Sequence, residues 1–293
     1  MKQKILLIDG ENILHQSFHK FEKLKSTDGK PSGAIFGFFK SLQMYLNRFE
    51  PSKVFITFDN GRSIYRKQLL PEYKAHRKNI AVDYESLQEQ KRLILKILGY
   101  LRINYVFDKK KTTNYEGDDF LAYLILHKFK DAKYKKILVS SDKDFNQLLH
   151  NNDLVIYNPR KEELIRESNC KELFGYAPEE TVDYLSMVGD TSDDISGFPG
   201  IGPVKARKIL DEYGSIKGYL LHHHRTDYCN IAERNSQMID LSRFLREHPL
   251  EKLPIKSSKG KPIKYKKFKE VCISYSLSSF MTNEFINTFE KLL

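Results

Sequence analysis

The first two-thirds of the chain alternates short apolar runs with stretches in which apolar residues recur every three to four positions. This is the pattern of strand–helix–strand units built around a parallel sheet. Lys4 to Ile8, Val54 to Phe58, Ile103 to Phe107, Ile137 to Val139 and Leu154 to Tyr157 read as buried strands. Between them Ile35, Phe39, Leu42 and Leu46 share one face of a helix over 33–48. Leu87, Ile94 and Leu98 mark a second helix, and Phe120, Leu121, Leu124 and Ile125 a third. After about residue 160 no further strands are expected. The remainder reads as helical, broken at 189–202 by a loop rich in Gly, Asp and Pro. The pattern therefore predicts an α/β core with a mostly parallel sheet flanked by helices over 1–160, and a helical subdomain over 161–293.

Composition narrows the function classes. No apolar run approaches the roughly 18 residues of a membrane span. The first apolar run, Ile5 to Ile8, is cut off by Asp9, which rules out the core of a signal peptide. Cys170, Cys229 and Cys272 are odd in number and far apart, with no CxxC, disulfide framework or zinc spacing, so a reducing cytoplasm is expected. Lys and Arg number 49 against 38 Asp and Glu, a formal charge of +11 that favours a polyanionic partner, and no basic amphipathic anchor ties that charge to a membrane. The excess is concentrated. Residues 62–78 carry Arg62, Arg66, Lys67, Lys74, Arg77 and Lys78 against the single acid Glu72, and residues 252–269 hold eight lysines and no acid.

The acids are placed as tellingly as the bases. Asp9 and Asp59 follow the first two strands and Asp142 the fourth, so all three should reach the sheet edge where α/β folds bind ligands. Any one of them alone reads more simply as a helix cap or turn residue. Glu116, Asp118 and Asp119 open a helix, Asp142 and Asp144 form an Asp-Lys-Asp pair, and Asp190, Asp193 and Asp194 lie in the interrupting loop. Helix-dipole preference accounts for one or two such acids, not for the whole set. Converging carboxylates repel by about 4 kcal/mol per pair at 4 Å and an effective dielectric of 20, so the cluster calls for cations. With oxygen ligands only, these should be hard: Mg²⁺, or Mn²⁺ as a substitute. Carboxylate-held Mg²⁺ on a basic protein points to phosphodiester hydrolysis by two metal ions.

One string is more specific than any acid. Gly197-Phe198-Pro199-Gly200-Ile201-Gly202-Pro203-Val204-Lys205-Ala206 places two glycines before a helix that opens on proline. Backbone can approach phosphate closely there, with Lys205, Arg207 and Lys208 alongside. The string resembles the hairpin of helix-hairpin-helix modules, which hold duplex backbone without reading sequence.

The chain as a whole, to about residue 250, resembles the flap endonuclease/5′–3′ exonuclease superfamily. It is similar to the N-terminal nuclease domain of bacterial DNA polymerase I and to phage-encoded flap endonucleases. The resemblance rests on Leu-Ile-Asp-Gly at 7–10, Gly-Lys-Pro-Ser-Gly-Ala at 29–34, Phe-Asp at 58–59 and Pro-Glu-Tyr-Lys-Ala-His-Arg at 71–77. Glu-Gly-Asp-Asp at 116–119, Ser-Ser-Asp-Lys-Asp at 140–144 and Gly-Asp-Thr-Ser-Asp-Asp at 189–194 complete it.

The resemblance implies a stand-alone, structure-specific 5′-nuclease of PIN-like core, with no polymerase domain attached. It would be a monomer of the cytoplasm, in a bacterial cell or a phage's host, acting in replication or repair on DNA with 5′ flaps, nicks, branches or RNA primers. Asp9, Asp59, Glu116, Asp118 and Asp119 would form a first metal cluster, and Asp142, Asp144, Asp190 and Asp193 a second. Residues 62–90 would form a helical arch in which Lys74 and Arg77 reach the scissile phosphate, Arg66 contacts backbone and Tyr73 stacks on an unpaired base. The hairpin, with Gly200, Gly202 and Lys205, would hold duplex and bind K⁺. Gln16, Gly117 and Asp194 depart from the usual Arg, Ala and Asn of relatives. Two other readings fit the acids: a PIN-type ribonuclease, and a branched-DNA binding protein whose metals only bridge phosphate.

Overall fold

The computed structural model describes residues 2–75, 83–111, 113–151, 153–224, 226–256 and 262–292. Its centre is strand β1 (Gln3–Asp9), where Leu6 and Ile8 face one side of the sheet and Ile5 and Leu7 the other, all fully buried. A strand apolar on both faces can only sit inside a covered parallel sheet. From β1 the chain passes through α1 (Gly10–Lys20) and α2 (Gly33–Phe49) to β2 (Lys53–Thr57). It continues through α3 (Ile64–Leu69) and α4 (Tyr84–Tyr100) to β3 (Asn104–Val106), then through α5 (Gly117–Tyr123) to β4 (Tyr134–Val139) and on to β5 (Leu154–Asn158). The five pair in parallel in the order β5-β4-β1-β2-β3, with Asp9 level with Thr57 and Ile8 level with Val139. The chain moves from β1 to β2 on one side and later to β4 on the other. The carboxyl end of β1 is therefore the point where strand order reverses, the usual ligand crevice of such sheets.

Strands do continue past residue 160, contrary to the sequence pattern. β6 (Glu163–Ile165) adds antiparallel to β5, and after α6 (Glu167–Phe174) and α7 (Thr181–Val188) the pair β7 (Gly189–Asp190) and β8 (Ile195–Ser196) closes a small ribbon. Helices α8 (Pro203–Tyr213), α9 (Ile216–His222), α10 (Cys229–Ile239) and α11 (Leu241–Glu247) follow, and then β9 (Ile255–Lys256) returns to pair antiparallel with β3 at the opposite edge. Strands of two or three residues lack a periodic signature; β6 and β9 are supported by the sheet edges they join, and β7 and β8 by each other.

The division at residue 160 is corrected in the same way. Helices α12 (Tyr265–Ser274) and α13 (Asn283–Glu290) bury Phe268, Cys272, Phe285 and Phe289 in the apolar layer that α1, α2 and α4 form on the sheet. Helix α11 buries Phe244 and Leu245 in the layer on the other face, with α5 and the short 3₁₀ helix Lys143–Leu148. Only residues about 176–239 gather around a separate core, which includes Leu185, Met187, Phe198 and Leu210. That core also takes in Leu70 and Tyr73, so part of the basic 62–78 segment is packed inward. Among the described residues no helix is long and apolar enough to cross a membrane.

Because α12 and α13 complete a core layer, truncating Phe285, which is 1% exposed, to alanine should destabilise the protein by about 3–5 kcal/mol. The change is read as a lowered urea midpoint for the unfolding of the sheet as a whole.

Candidate active site

A cavity of about 800 Å³ opens at the carboxyl end of β1, and Asp9, Asp59, Glu116, Asp118, Asp142 and Asp193 border it. Asp9 caps α1, accepting from the Asn12 N–H at 3.0 Å, while the Ser140 hydroxyl donates to its other oxygen at 2.9 Å. Asp59 accepts from the Gly117 N–H, at the start of α5. A Cβ at position 117 would stand 2.9 Å from that Asp59 oxygen, so glycine is what lets the carboxylate reach the helix start. Asp142 caps the 3₁₀ helix through the Asp144 N–H at 2.9 Å, and Asp190 accepts from the Ser192 N–H and hydroxyl at 2.8 Å.

The crowding shows in protonation. Desolvation, with Asp142 and Asp59 adding repulsion, pushes the Asp9 carboxyl up to about 7. Desolvation with Glu11 and Glu116 pushes Asp59 up to about 6. Asp118 is raised well above the ordinary carboxylate range by desolvation and by Asp9, Asp142 and Asp59, and Asp144 by desolvation and by Asp142, Asp190 and Asp193. Glu116 goes the other way. Burial alone would raise it, but Lys74, Arg66 and the Tyr73 hydroxyl hold it at about 2.

Lys74 stands at the seam between the two groups of acids. Its ammonium lies 3.1 Å from Glu116 and 3.6 Å from Asp193, and its N–H donates to the Asp193 carbonyl at 3.1 Å. It is 5% exposed and adopts a left-handed backbone (φ 54°). A non-glycine residue holds such a conformation, at a cost of about 1–3 kcal/mol, only where its surroundings fix it.

Three expectations are corrected by these contacts. Arg66 is buried rather than offered to DNA: it grips Asp119 with two hydrogen bonds of 2.8 and 2.7 Å, donates to the Met238 carbonyl and lies 4.6 Å over the Phe244 ring. Asp119, fully buried, is spent on Arg66 and on the Glu116 N–H, and does not border the cavity. Tyr73, 2% exposed, packs in the helical lobe and donates its hydroxyl to Glu116 at 2.6 Å, so no face is left for a base. Arg77, with 76–82 of the expected arch, lies outside the described residues. Asp144 and Asp190 do not border the cavity, though Asp144 lies close enough to feel the charges of Asp142, Asp190 and Asp193, and Asp194 (φ 58°) does not border it either. Gln16, in place of an arginine, donates to Asn12.

Two residues escaped the sequence reading. Glu11 accepts from the Asp59 N–H at 3.2 Å and from Lys91, and the buried Lys91 ammonium also donates to the Asp59 carbonyl at 2.7 Å. A lysine interrupting the apolar face of α4, between Leu87 and Ile94, was the available signal. In the helical lobe Gly200 (φ 74°) and Gly202 are exposed and open to approach, and the exposed Lys205 donates to the Gly200 carbonyl at 2.9 Å.

Among the described residues, no three carboxylate, imidazole or thiol groups are disposed to hold one ion by themselves. The donor set nevertheless fits hard divalent cations. It is all oxygen, it resists ionising without added positive charge, and the buried Asp144 Oδ1 has no hydrogen-bond partner. Mg²⁺ in particular keeps several waters and takes one or two carboxylates rather than a closed protein cage.

Comparison with known proteins places the chain among others. Residues 4–175 match the family model described as 5′-3′ exonuclease, N-terminal resolvase-like domain, and residues 176–258 that of the 5′-3′ exonuclease, C-terminal SAM fold. A 5′-3′ exonuclease of Aquifex aeolicus is 32% identical over 216 residues, which is 74% of this chain and 72% of the relative. One from Buchnera aphidicola of Schizaphis graminum is 28% identical over 98% of this chain and 89% of its own. In fold, the flap endonuclease of bacteriophage T5, solved in complex with DNA and metal ions, superposes with a TM-score of 0.65 at 20% identity, covering 92% of this chain and 98% of that one.

Two outcomes follow from the electrostatics. Replacing Arg66 by alanine strands the buried Asp119 charge and should cost about 3–5 kcal/mol in chemical denaturation, with or without DNA. Asp9 and Asp59 have folded values above the ordinary 3.8, so the stability they lend is complete at low pH and is lost as pH rises. Without divalent ions, each should lower stability by up to about 1.4 kcal/mol per pH unit, Asp9 between about pH 4 and 7 and Asp59 between about pH 4 and 6. Thermal unfolding in chelator should therefore give a higher Tm at pH 5 than at pH 8, and Asp9→Asn should flatten that slope.

Proposed function

The chain belongs to the 5′–3′ exonuclease family, and on that premise we propose that it is a Mg²⁺-dependent structure-specific nuclease cutting DNA near 5′ flaps, nicks or RNA primers. The observation that carries the reading is six acids from five separate parts of the chain around one cavity, with Lys74 between them. In this reading Asp9, Asp59, Glu116 and Asp118 hold one divalent ion, and Asp142, Asp144, Asp190 and Asp193 another. When bound, the ions neutralise charge at the scissile phosphate and acidify the attacking water.

The chain's own residues supply the rest. Ser140 and the Asn12 N–H fix the Asp9 carboxylate, and the Gly117 N–H fixes that of Asp59. Glu116 is kept ionised and immobile by four donors: Ser63, Arg66, Tyr73 and Lys74. Lys74 presents the cation nearest both acid groups, and its release from Glu116 toward a phosphate oxygen would place positive charge where the leaving group develops its negative charge. In the same reading the exposed turn at Gly200 and Gly202 holds duplex backbone and binds K⁺. The protein acts as a monomer in the cytoplasm, in replication or repair, consistent with three cysteines that form no disulfide, of which Cys170 and Cys272 are buried.

A labelled 5′-flap duplex tests the reading. Mg²⁺ should support cleavage, and Ca²⁺ binding without it. Asp118→Asn should abolish turnover while leaving affinity for the flap nearly intact, and Lys74→Ala should slow turnover by about 10²-fold, as loss of one transition-state donor does. Binding with no product under any divalent ion would return the chain to the branched-DNA binding reading.

A further inference from the structure

The lysine-rich run has no part in the site described, and the family models end at residue 258, before most of it. Past β9 its described portion leads into helix α12, which turns Phe268 and Cys272 into the core, while its N-cap Lys264 and Lys266, Lys267 and Lys269 stay exposed. Among the described residues no ion pair engages these four ammonium groups, and Glu270 is the one acid in the helix. Lys266 and Lys267 also stand in the first turn of α12, where the helix dipole disfavours cations. The arrangement therefore costs stability within the fold and gains nothing from it.

The helix is located relative to the cavity by α4. Leu87 borders the cavity, and the carbonyl of Tyr100, at the far end of α4, accepts the Lys264 N–H at 3.0 Å. Thirteen residues at 1.5 Å rise put the end of α4 that holds the start of α12 about 20 Å along the helix from Leu87. Duplex DNA covers that distance in about six base pairs.

We propose that the lysine face of α12 is a second contact surface for duplex nucleic acid, gripping phosphates one arm's length from the cleavage site. The ligand is backbone: compact, mobile ammonium groups without aromatic partners on the helix's outer face read charge spacing, not base edges. The identity of the polyanion as DNA rests on the nuclease reading; the presence of a polyanion site on this helix does not.

The test uses the full chain with Lys266, Lys267 and Lys269 changed to Gln, which keeps helix propensity. As a control, Lys128→Gln and Lys130→Gln remove exposed cations elsewhere. Binding of flap substrates with duplex arms of 4 or 20 base pairs is measured in Ca²⁺ from 50 to 200 mM salt. With the long arms, loss of three phosphate contacts should reduce the salt slope by about 2.7. Wild-type affinity would then fall about 40-fold more than the variant's across that range. With the short arms, variant and wild type should bind alike, and turnover at saturating enzyme in Mg²⁺ should be unchanged. Equal slopes on long arms, or an equal loss in the control variant, would overturn the proposal and leave α12 a solvated face. Because binding is scored in Ca²⁺ and cleavage separately, failure of the nuclease reading would appear as absent product without touching this result.

Discussion

Everything in this fold accommodates one electrostatic fact: acids crowd the point where strand order reverses. Two carboxylates 4 Å apart repel by about 4 kcal/mol at an effective dielectric of 20, and burial adds a desolvation cost to each. The chain offsets this with two buried ammonium groups. Lys91 draws Glu11 and the Asp59 backbone together, and Lys74 sits between Glu116 and Asp193. Both come from the stretch between β2 and β3, so part of the basic segment is the counterweight of the acid pocket. At Asp118 and Asp144 the pull of Lys74 and Lys143 is outweighed by burial and neighbouring carboxylates, and these acids hold protons well above their ordinary range. Those are the positions where added cations would gain most.

The same balance ties the two lobes together. Arg66 leaves α3 to clamp Asp119 on α5, and its remaining N–H reaches the Met238 carbonyl on α10. Tyr73 spans from the helical core to Glu116. A duplex on the exposed hairpin, as proposed above, would thus be connected to the pocket through buried, hydrogen-bonded side chains. Such linkage suits a nuclease that must set a cleavage point at a fixed distance from a duplex junction.

Much of this was legible in one dimension. Strands β1, β2, β4 and β5 are near-continuous apolar runs because both their faces are covered, and helix α2 shows its period across 17 residues. Asp9, Asp59 and Asp142 were recognisable because they fall at the ends of those strands, and six of the nine expected acids reach the cavity. The failures share a cause. Arg66 and Asp119 are 53 positions apart, and a buried ion pair leaves no trace in local pattern, so each was read alone, as a DNA contact and a metal ligand. Tyr73 was misjudged for the same reason: a tyrosine in a basic run looks exposed until the helical core closes over it. Edge strands β6 and β9 and the return of α12 and α13 depend on surfaces made by distant segments, which no window of sequence contains.

The distribution of charge settles why a protein of +11 keeps an acidic mouth. A phosphodiester backbone approaching the pocket meets repulsion from six carboxylates, so attraction has to come from surfaces that do no chemistry. Salt screens exposed charges beyond about 10 Å at 0.1 M, and the lysines of α12, held at the end of α4 away from Leu87, are not among the charges that set the protonation of the pocket acids. The two buried ammonium groups, Lys74 and Lys91, are paired with the acids, while Arg62, Lys111 and Arg160 border the same cavity and the lysines of α12 are exposed on the outside of the fold. In the proposed reading the outer cations would draw the polyanion in, and the buried pair would hold the acids in place for the ions and the scissile bond.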